Sequence, residues 1–472
     1  MNETERSLHF APLQSRWQAK SFILYSPIMI AILWYGLEWR STYKFLTQKQ
    51  WVSPSEITIF DEKTDLELPE WVQSVLWATC YDQLVSGDYD QIWRSPGITN
   101  HILQDKLSNP DDFASIFDSI ISQTQYFFDH YTGIKIGITG TKGKSQTATV
   151  CYMTLQEAGL SVEIAGNIGK PVFDIIDFES QPDYVVYEMS SFMLESLSEF
   201  SLDIWVFNTL YSTHTREHNG FKHYVAAKMR LVESSETVLI GYQARDAVTQ
   251  LWYMPDDEAI VYGAEWYYTF TTWDPCGVFW IWDQAVFDDA DMLIQWVHNR
   301  TNFCSVVGIC DLLQIDLIHL ETVLNNFDGL EHRMQNLGTH HNIQWINDAI
   351  ATTPQATMAA ITTYGEQIDT LLYGGIEWDY DHIWVIEQII QYGIQNLVLF
   401  PDSGYQIREW LKKFWYSPNI LETREMSEAV TFAKKHTTPG AICLLSCGSP
   451  SFSCWSGFQE KGEIFKKRLT AH

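Results

Sequence analysis

The 472-residue chain is predicted to be an α/β protein of three domains, each built on a largely parallel sheet. Three observations carry this expectation. Apolar strand-like runs alternate with helix-like stretches along the whole length. Apolar residues make up 46% and charged residues 19%, enough to bury several cores. At roughly 150 residues per domain, the length allows about three.

The first block, residues 1–133, holds apolar strands at 28–33 and 57–60 with a helix-like stretch at 41–49 between them. The second, residues 134–328, opens with an apolar strand at 134–139 that runs into a Gly-rich loop and then a helix. Later strands fall at 184–187 and 203–207, and residues 237–286 read as a strand-rich patch of aromatic and β-branched residues. The third, residues 329–472, places strands at 371–373, 396–400 and 442–445 with helices between.

Lys and Arg number 30 against 59 Asp and Glu, a net charge of −29. That balance argues against non-specific nucleic-acid binding and against docking on an acidic membrane. Residues 22–37 are uncharged, but they include Pro27 and fall short of the ~20 residues of a spanning helix. They read as a buried strand entering a loop. Eight Cys without a CxxC pair, and no signal peptide, fit a reducing, cytoplasmic setting.

The sharpest chemical signal is Gly140-Thr141-Lys142-Gly143-Lys144-Ser145 between a strand and a helix. Gly140 and Gly143 let backbone N–H groups close around phosphate oxygens, and the helix N-terminus adds its positive end. Lys144 reaches the β/γ-phosphates and Ser145 lies near Mg²⁺. The spacing is shorter than the general phosphate-loop pattern, so the loop is a variant.

From here the ordered motifs resemble the Mur ligases, and among them the branch that adds glutamate. The resemblance runs through Gly140–Ser145, Gly166-Asn167-Ile168-Gly169, Glu188-Met189-Ser190-Ser191-Phe192-Met193-Leu194-Glu195 and His214. It continues through Tyr224-Val225-Ala226-Ala227-Lys228-Met229-Arg230, His298-Asn299 and Gly329-Leu330-Glu331-His332-Arg333. Asn347-Asp348, Gly374-Gly375, Leu445-Ser446 and the segment from Phe458 to Gly462 complete it. It implies a Rossmann-like N-terminal domain for a UDP-sugar peptide, a central phosphate-loop ATPase-like domain, and a Rossmann-like C-terminal domain for an amino acid. The implied reaction is ATP-dependent amide formation through an acyl phosphate in peptidoglycan precursor synthesis, by a monomer acting on small molecules.

The resemblance also assigns roles. Lys144 neutralises the transferred phosphoryl group, and Gly140 to Ser145 hold ATP with Asn299, Arg333 and Asp348. Ser145, Glu188, His214 and Lys228 are the metal group, with Lys228 carbamylated. Asn167, Ser190 and Ser446 contact substrate. A competing reading is His214-Thr215-Arg216-Glu217-His218, which fits the inverted zinc-protease signature H-x-x-E-H. It leaves the phosphate loop unexplained.

Two departures stand out. Ile350 occupies the place of a lysine that grips the amino-acid carboxylate in D-glutamate ligases, which leaves D against L open. Trp numbers 20 while Gly numbers only 26, below the usual ~7%. Trp34, Trp39, Trp51 and Trp296 stand where a turn, a helix cap or a close backbone approach calls for Gly. The pattern is that of a codon, most simply UGA, read as Gly by the host.

Overall fold

The computed structural model describes residues 28–33, 37–50, 52–61, 73–168, 170–211, 218, 220–251, 260–263, 270–273, 277–281, 284–292, 297–376 and 381–470. Contacts group the chain into two compact units, residues 1–144 with 158–271, and residues 145–157 with 272–472.

In the first unit, β1 (Ile30–Leu33), β2 (Ile57–Asp61), β3 (Gln73–Leu76), β4 (Gln91–Arg94) and β5 (Ile120–Ile121) form an all-parallel sheet of order β3-β2-β1-β4-β5. The order reverses between β1 and β4, the point where open α/β sheets present their ligand crevice. Helix α1 (Leu37–Gln48) packs Trp39 and Leu46 on Ile30, Ile32, Ile57 and Ile59. Within the uncharged stretch Ile30–Leu33 is therefore a buried strand, and Ile28 just ahead of it is exposed. Among the described residues no helix is long and apolar enough to cross a membrane.

The same unit holds β6 (Ile134–Thr139), β7 (Val162–Gly166), β8 (Tyr184–Glu188), β9 (Leu202–Phe207), β10 (Ser235–Gly241) and β11 (Ile260–Tyr262). They lie side by side as β11-β10-β9-β6-β8-β7, all parallel. Parallel strands covered on both faces need apolar residues at nearly every position. The runs Val185-Val186-Tyr187 and Trp205-Val206-Phe207 supply them, each at most 1% exposed. Residues 237–286 are less uniform than their composition predicts, because Tyr242–Thr249 is a helix that buries Ala244 and Val248 at i,i+4 spacing.

The second unit contains helix α2 from Ser145 onward (Lys144–Glu157), an antiparallel hairpin (Val278–Ile281 with Gln284–Asp288) and α3 (Val297–Leu312). Its six-stranded sheet comprises β12 (Gln335–His340), β13 (Ile343–Asn347), β14 (Ile368–Gly374), β15 (Asn396–Phe400), β16 (Asn419–Glu422) and β17 (Ile442–Leu445). The order is β12-β13-β17-β14-β15-β16, parallel except for β12 against β13. Two buried clusters cover its faces, one around Trp345, Phe400 and Phe465, the other around Leu371, Val385 and Ile407.

Among the four tryptophans singled out above, Trp34, Trp51 and Trp296 lie outside the described residues. Trp39 is 4% exposed, inside the first turn of α1, so its ring fills core space rather than crowding a turn. A fifth position carries the glycine signal instead. Helix α4 (Ser403–Lys413) ends with Trp415 N–H on Lys412 O (3.2 Å) and Tyr416 N–H on Leu411 O (3.1 Å). These two bonds are a Schellman cap, and its left-handed residue is Trp415, with φ +57° and 95% exposure. A bulky side chain there is strained and packs on nothing. Trp415→Gly is expected to stabilise the protein by about 1 kcal/mol. In thermal unfolding of a chain of this length that is a rise of about 1 °C, and an unchanged or lower midpoint would refute the cap argument.

Candidate active site

In the first unit the candidate residues converge at the carboxyl ends of β6, β7 and β8. Register places Ile138 beside Glu188 and Glu188 beside Gly166, so the loop after β6 and the last residue of β8 face the same edge. The loop turns at Gly140 (φ +147°) and Gly143 (φ +86°), backbone angles that L side chains rarely adopt. A Cβ on Gly140 would also press on Thr209 N, Asn208 Cβ and Lys142 O. Thr141 N–H donates to Thr209 O (2.7 Å) and Lys142 N–H to Thr209 Oγ1 (2.9 Å), which pins the loop to the end of β9. Lys144 Nζ curls back to Thr141 O (3.4 Å).

Glu188 is fully buried. Its Oε1 accepts from Asn167 Nδ2 (3.0 Å), and its main-chain carbonyl accepts from Asn167 N–H (2.8 Å). Gly166 (φ +99°) makes this approach possible, since a Cβ there would collide with the Glu188 carbonyl. The second oxygen, Oε2, is buried with no hydrogen-bond partner. A buried carboxylate oxygen left open is costly unless a cation takes it. The residues present therefore fit Mg²⁺.

Lys228, on α5 (Phe221–Glu233), is 1% exposed and donates to Thr139 Oγ1 (3.0 Å) and Gly140 O (3.3 Å). Burial first, and the charge of Lys144 second, push its pKa well below the ordinary lysine value; Glu188 opposes them. Tyr224, one turn earlier on α5, shares a 2.9 Å hydrogen bond with Thr141 Oγ1. Ser190 caps the short helix Ser191–Glu195, its Oγ accepting from Met193 N–H (3.2 Å).

His214 lies outside the described residues, as do Thr215, Arg216 and Glu217. His218 is described, and both its ring nitrogens are engaged, Nε2 with Ser191 Oγ (2.9 Å) and Nδ1 with Glu195 Oε2 (3.1 Å). Glu195 Oε1 also accepts from Asn100 N–H (3.1 Å), and Arg94 Nη1 donates to Asn100 Oδ1. Burial would raise the Glu195 pKa, but the bonds from His218 and Asn100 and the charge of Arg94 leave it lowered. A histidine held this way offers no free nitrogen to a metal, which removes half of the H-x-x-E-H reading. Sequence reasoning gave His218 no structural role; its stacking on Phe192 (4.8 Å) depends on a tertiary contact.

The remaining candidates sit in the second unit. Asp348 and Ser446 directly follow β13 and β17, adjacent strands in which Asn347 pairs with Leu445. Ser446 Oγ donates to Asp348 Oδ2 (2.7 Å) and lies 3.0 Å from Thr357 Oγ1. Asp348 Oδ1 accepts from Met334 N–H (3.2 Å), beside the exposed Arg333. Burial raises the Asp348 carboxyl to about 6, against the pull of Ser446, Met334 N–H, Arg333 and Lys461. Ser145 is the second residue of α2, and Asn299, in the first turn of α3, keeps a buried Nδ2 without a partner.

With the fold and the phosphate loop described, residues 138–265 match the Mur ligase middle domain. The whole fold is shared with UDP-N-acetylmuramate-alanine ligase MurC from Thermotoga maritima, at TM-score 0.58 and 15% identity, covering 93% of this chain and 99% of that one. It is shared too with the MurF ligase of Thermotoga maritima solved in complex with ADP, at TM-score 0.51 and 12% identity over 94% and 96%. In sequence the chain is 26% identical to UDP-N-acetylmuramoyl-L-alanine–L-glutamate ligase of Xanthomonas oryzae pv. oryzae, over 92% of this chain and 94% of that protein. It is 25% identical to UDP-N-acetylmuramoylalanine–D-glutamate ligase of Clostridium tetani, over 93% and 95%.

Proposed function

We propose that this ATP-dependent ligase joins L-glutamate to UDP-N-acetylmuramoyl-L-alanine in peptidoglycan precursor synthesis. Three domains divide the work: residues 1–133 for the UDP-sugar, 134–328 for ATP and 329–472 for the amino acid. The single observation that carries the ligase chemistry is the buried, half-unsatisfied Glu188 beside a phosphate loop and a buried lysine. L-glutamate is preferred because Ile350 cannot make the ion pair expected of D-glutamate ligases, and a full-length relative is named for the L isomer.

The residues explain how a poor acylating agent is activated. The substrate carboxylate attacks the γ-phosphorus of ATP, ADP leaves, and an acyl phosphate forms. The amine then attacks the acyl carbon, loses a proton and expels phosphate. Both steps crowd anionic oxygens, so preorganised cations lower their barriers. Lys144 supplies one from the loop. Mg²⁺ held by Ser145, Glu188, His214 and a carbamylated Lys228 would polarise the phosphoryl oxygens. Burial lowers the Lys228 pKa, toward the neutral form that takes up CO₂ with release of a proton. Asn167 and Ser190 orient the sugar substrate, Asn299, Arg333 and Asp348 the nucleotide, and Ser446 the amino acid.

The direct test is phosphate release from ATP with UDP-N-acetylmuramoyl-L-alanine and either L- or D-glutamate. Release that depends on L-glutamate is expected. Release with D-glutamate alone would overturn the stereochemical assignment, and none with either, from folded protein, would overturn the ligase reading.

A further inference from the structure

Past the end of β9, residues 208–211 run alongside the phosphate loop. Thr209 O accepts from Thr141 N–H (2.7 Å), and Thr209 Oγ1 accepts from Lys142 N–H (2.9 Å) and donates to Lys142 O (3.1 Å). Tyr211 N–H donates to Thr141 Oγ1 (2.9 Å). The backbone groups of Leu210, between them, go to a different partner. β9 and its neighbour β10 pair as far as Phe207 and Ile240, after which the chain of β10 enters the helix Tyr242–Thr249. Leu210 is 2% exposed, so its N–H and C=O need partners that β10 no longer supplies. Gln243, in the first turn of that helix, takes both. Its Oε1 accepts from Leu210 N–H (2.8 Å), and its Nε2 donates to Leu210 O (2.8 Å). The side-chain amide stands in for a strand residue that exchanges both bonds with its opposite number. Gln243 belongs to none of the ligase motifs, and the reaction scheme gives it no role.

We infer that Gln243 is a positioning residue for the nucleotide: its amide fixes Leu210, and the residues on either side of Leu210 fix the phosphate loop. The inference rests on the ATP role proposed for Gly140 to Ser145. A loop that holds phosphate through backbone N–H groups is only as well aimed as its backbone. Gly140 and Gly143 give that backbone freedom, so its restraint has to come from outside the loop. Thr209 and Tyr211 apply it, and Gln243 holds the segment that carries them. Tyr224, whose hydroxyl also meets Thr141 Oγ1 (2.9 Å), is a separate restraint from α5. Losing the Gln243 amide therefore loosens the loop and leaves it folded.

The experiment measures the affinity of the full-length chain for a fluorescent, non-hydrolysable ATP analogue with Mg²⁺. Gln243→Met removes both bonds and adds no charge. Gln243→Glu keeps the shape but sets an acceptor against the Leu210 carbonyl, and it carries the test where methionine unfolds the chain. Each should weaken binding about tenfold, within what two neutral hydrogen bonds contribute. Affinity for UDP-N-acetylmuramoyl-L-alanine should not change, a separation that a merely weakened fold would not produce. Thr209→Val removes the Oγ1 bonds to Lys142 and should weaken the analogue as well. Combined with Gln243→Met, its effect should fall short of the product of the two, because both act along one chain of contacts.

Parent-like affinity in Gln243→Met or Gln243→Glu, an equal loss for the sugar ligand, or effects of Gln243→Met and Thr209→Val that multiply in full, overturns the inference while the ligase reading stands. Absence of analogue binding in the unaltered chain overturns both.

Discussion

Lys144→Met is expected to lower amino-acid-dependent phosphate release by about 10²–10³-fold, the usual effect of removing one preorganised charge from a transition state. The side chain is half-buried, and methionine keeps the length of its stem. Thermal stability should therefore stay within about 1 kcal/mol of the parent. The loss should fall on kcat more than on the KM for ATP, because the loop glycines and backbone still hold the nucleotide. Retention of more than about a tenth of the activity would place the phosphoryl-stabilising charge elsewhere.

Lys228→Met is expected to be as damaging to activity yet to leave the protein no less stable at neutral pH. In the folded chain burial and Lys144 depress the Lys228 pKa, whereas an unfolded lysine keeps its proton up to about 10.4. The unfolded state thus binds more protons, and stability rises with pH from the folded midpoint up to that value. Methionine keeps the buried stem and gives up bonds to Thr139 and Gly140, worth about 1 kcal/mol each. Losing the proton-linked penalty offsets them. Unfolding free energies of both proteins across pH 6–10.5, in carbonate-free buffer, provide the check. The parent should gain stability with rising pH relative to the variant; parallel curves would mean that Lys228 folds as an ordinary charged lysine.

Strands that are apolar on both faces were legible residue by residue. The runs at 134–139, 396–400 and 442–445 stand in the structure with the same bounds. Burial on both faces leaves a local trace, an unbroken apolar run between turn residues. The Gly-Lys-Ser loop was legible for a related reason, since positive φ angles and phosphate approach both demand glycine at fixed spacing. Glu188 announced itself as a carboxylate leaving such a strand. Its open oxygen did not, because that depends on what Asn167 reaches from the next strand.

Where an answer depends on two distant segments meeting, the linear pattern runs out. His218 looked like half of a metal site until Ser191 and Glu195 took both its nitrogens. Trp39 looked misplaced until α1 turned it into the core, and Trp415 looked ordinary until the helix end put it at a left-handed cap. Lys461 lies in the motif segment from Phe458 to Gly462, yet nothing in that pattern says that its side chain is fully buried. The sequence by itself determined the parallel α/β architecture, the phosphate loop and the order of ligase motifs, because periodicity and glycine placement are written locally. Tertiary structure alone decided which polar groups are buried, paired or left open. Desolvation and hydrogen-bond geometry belong to the surroundings of a residue, and only the folded chain supplies them.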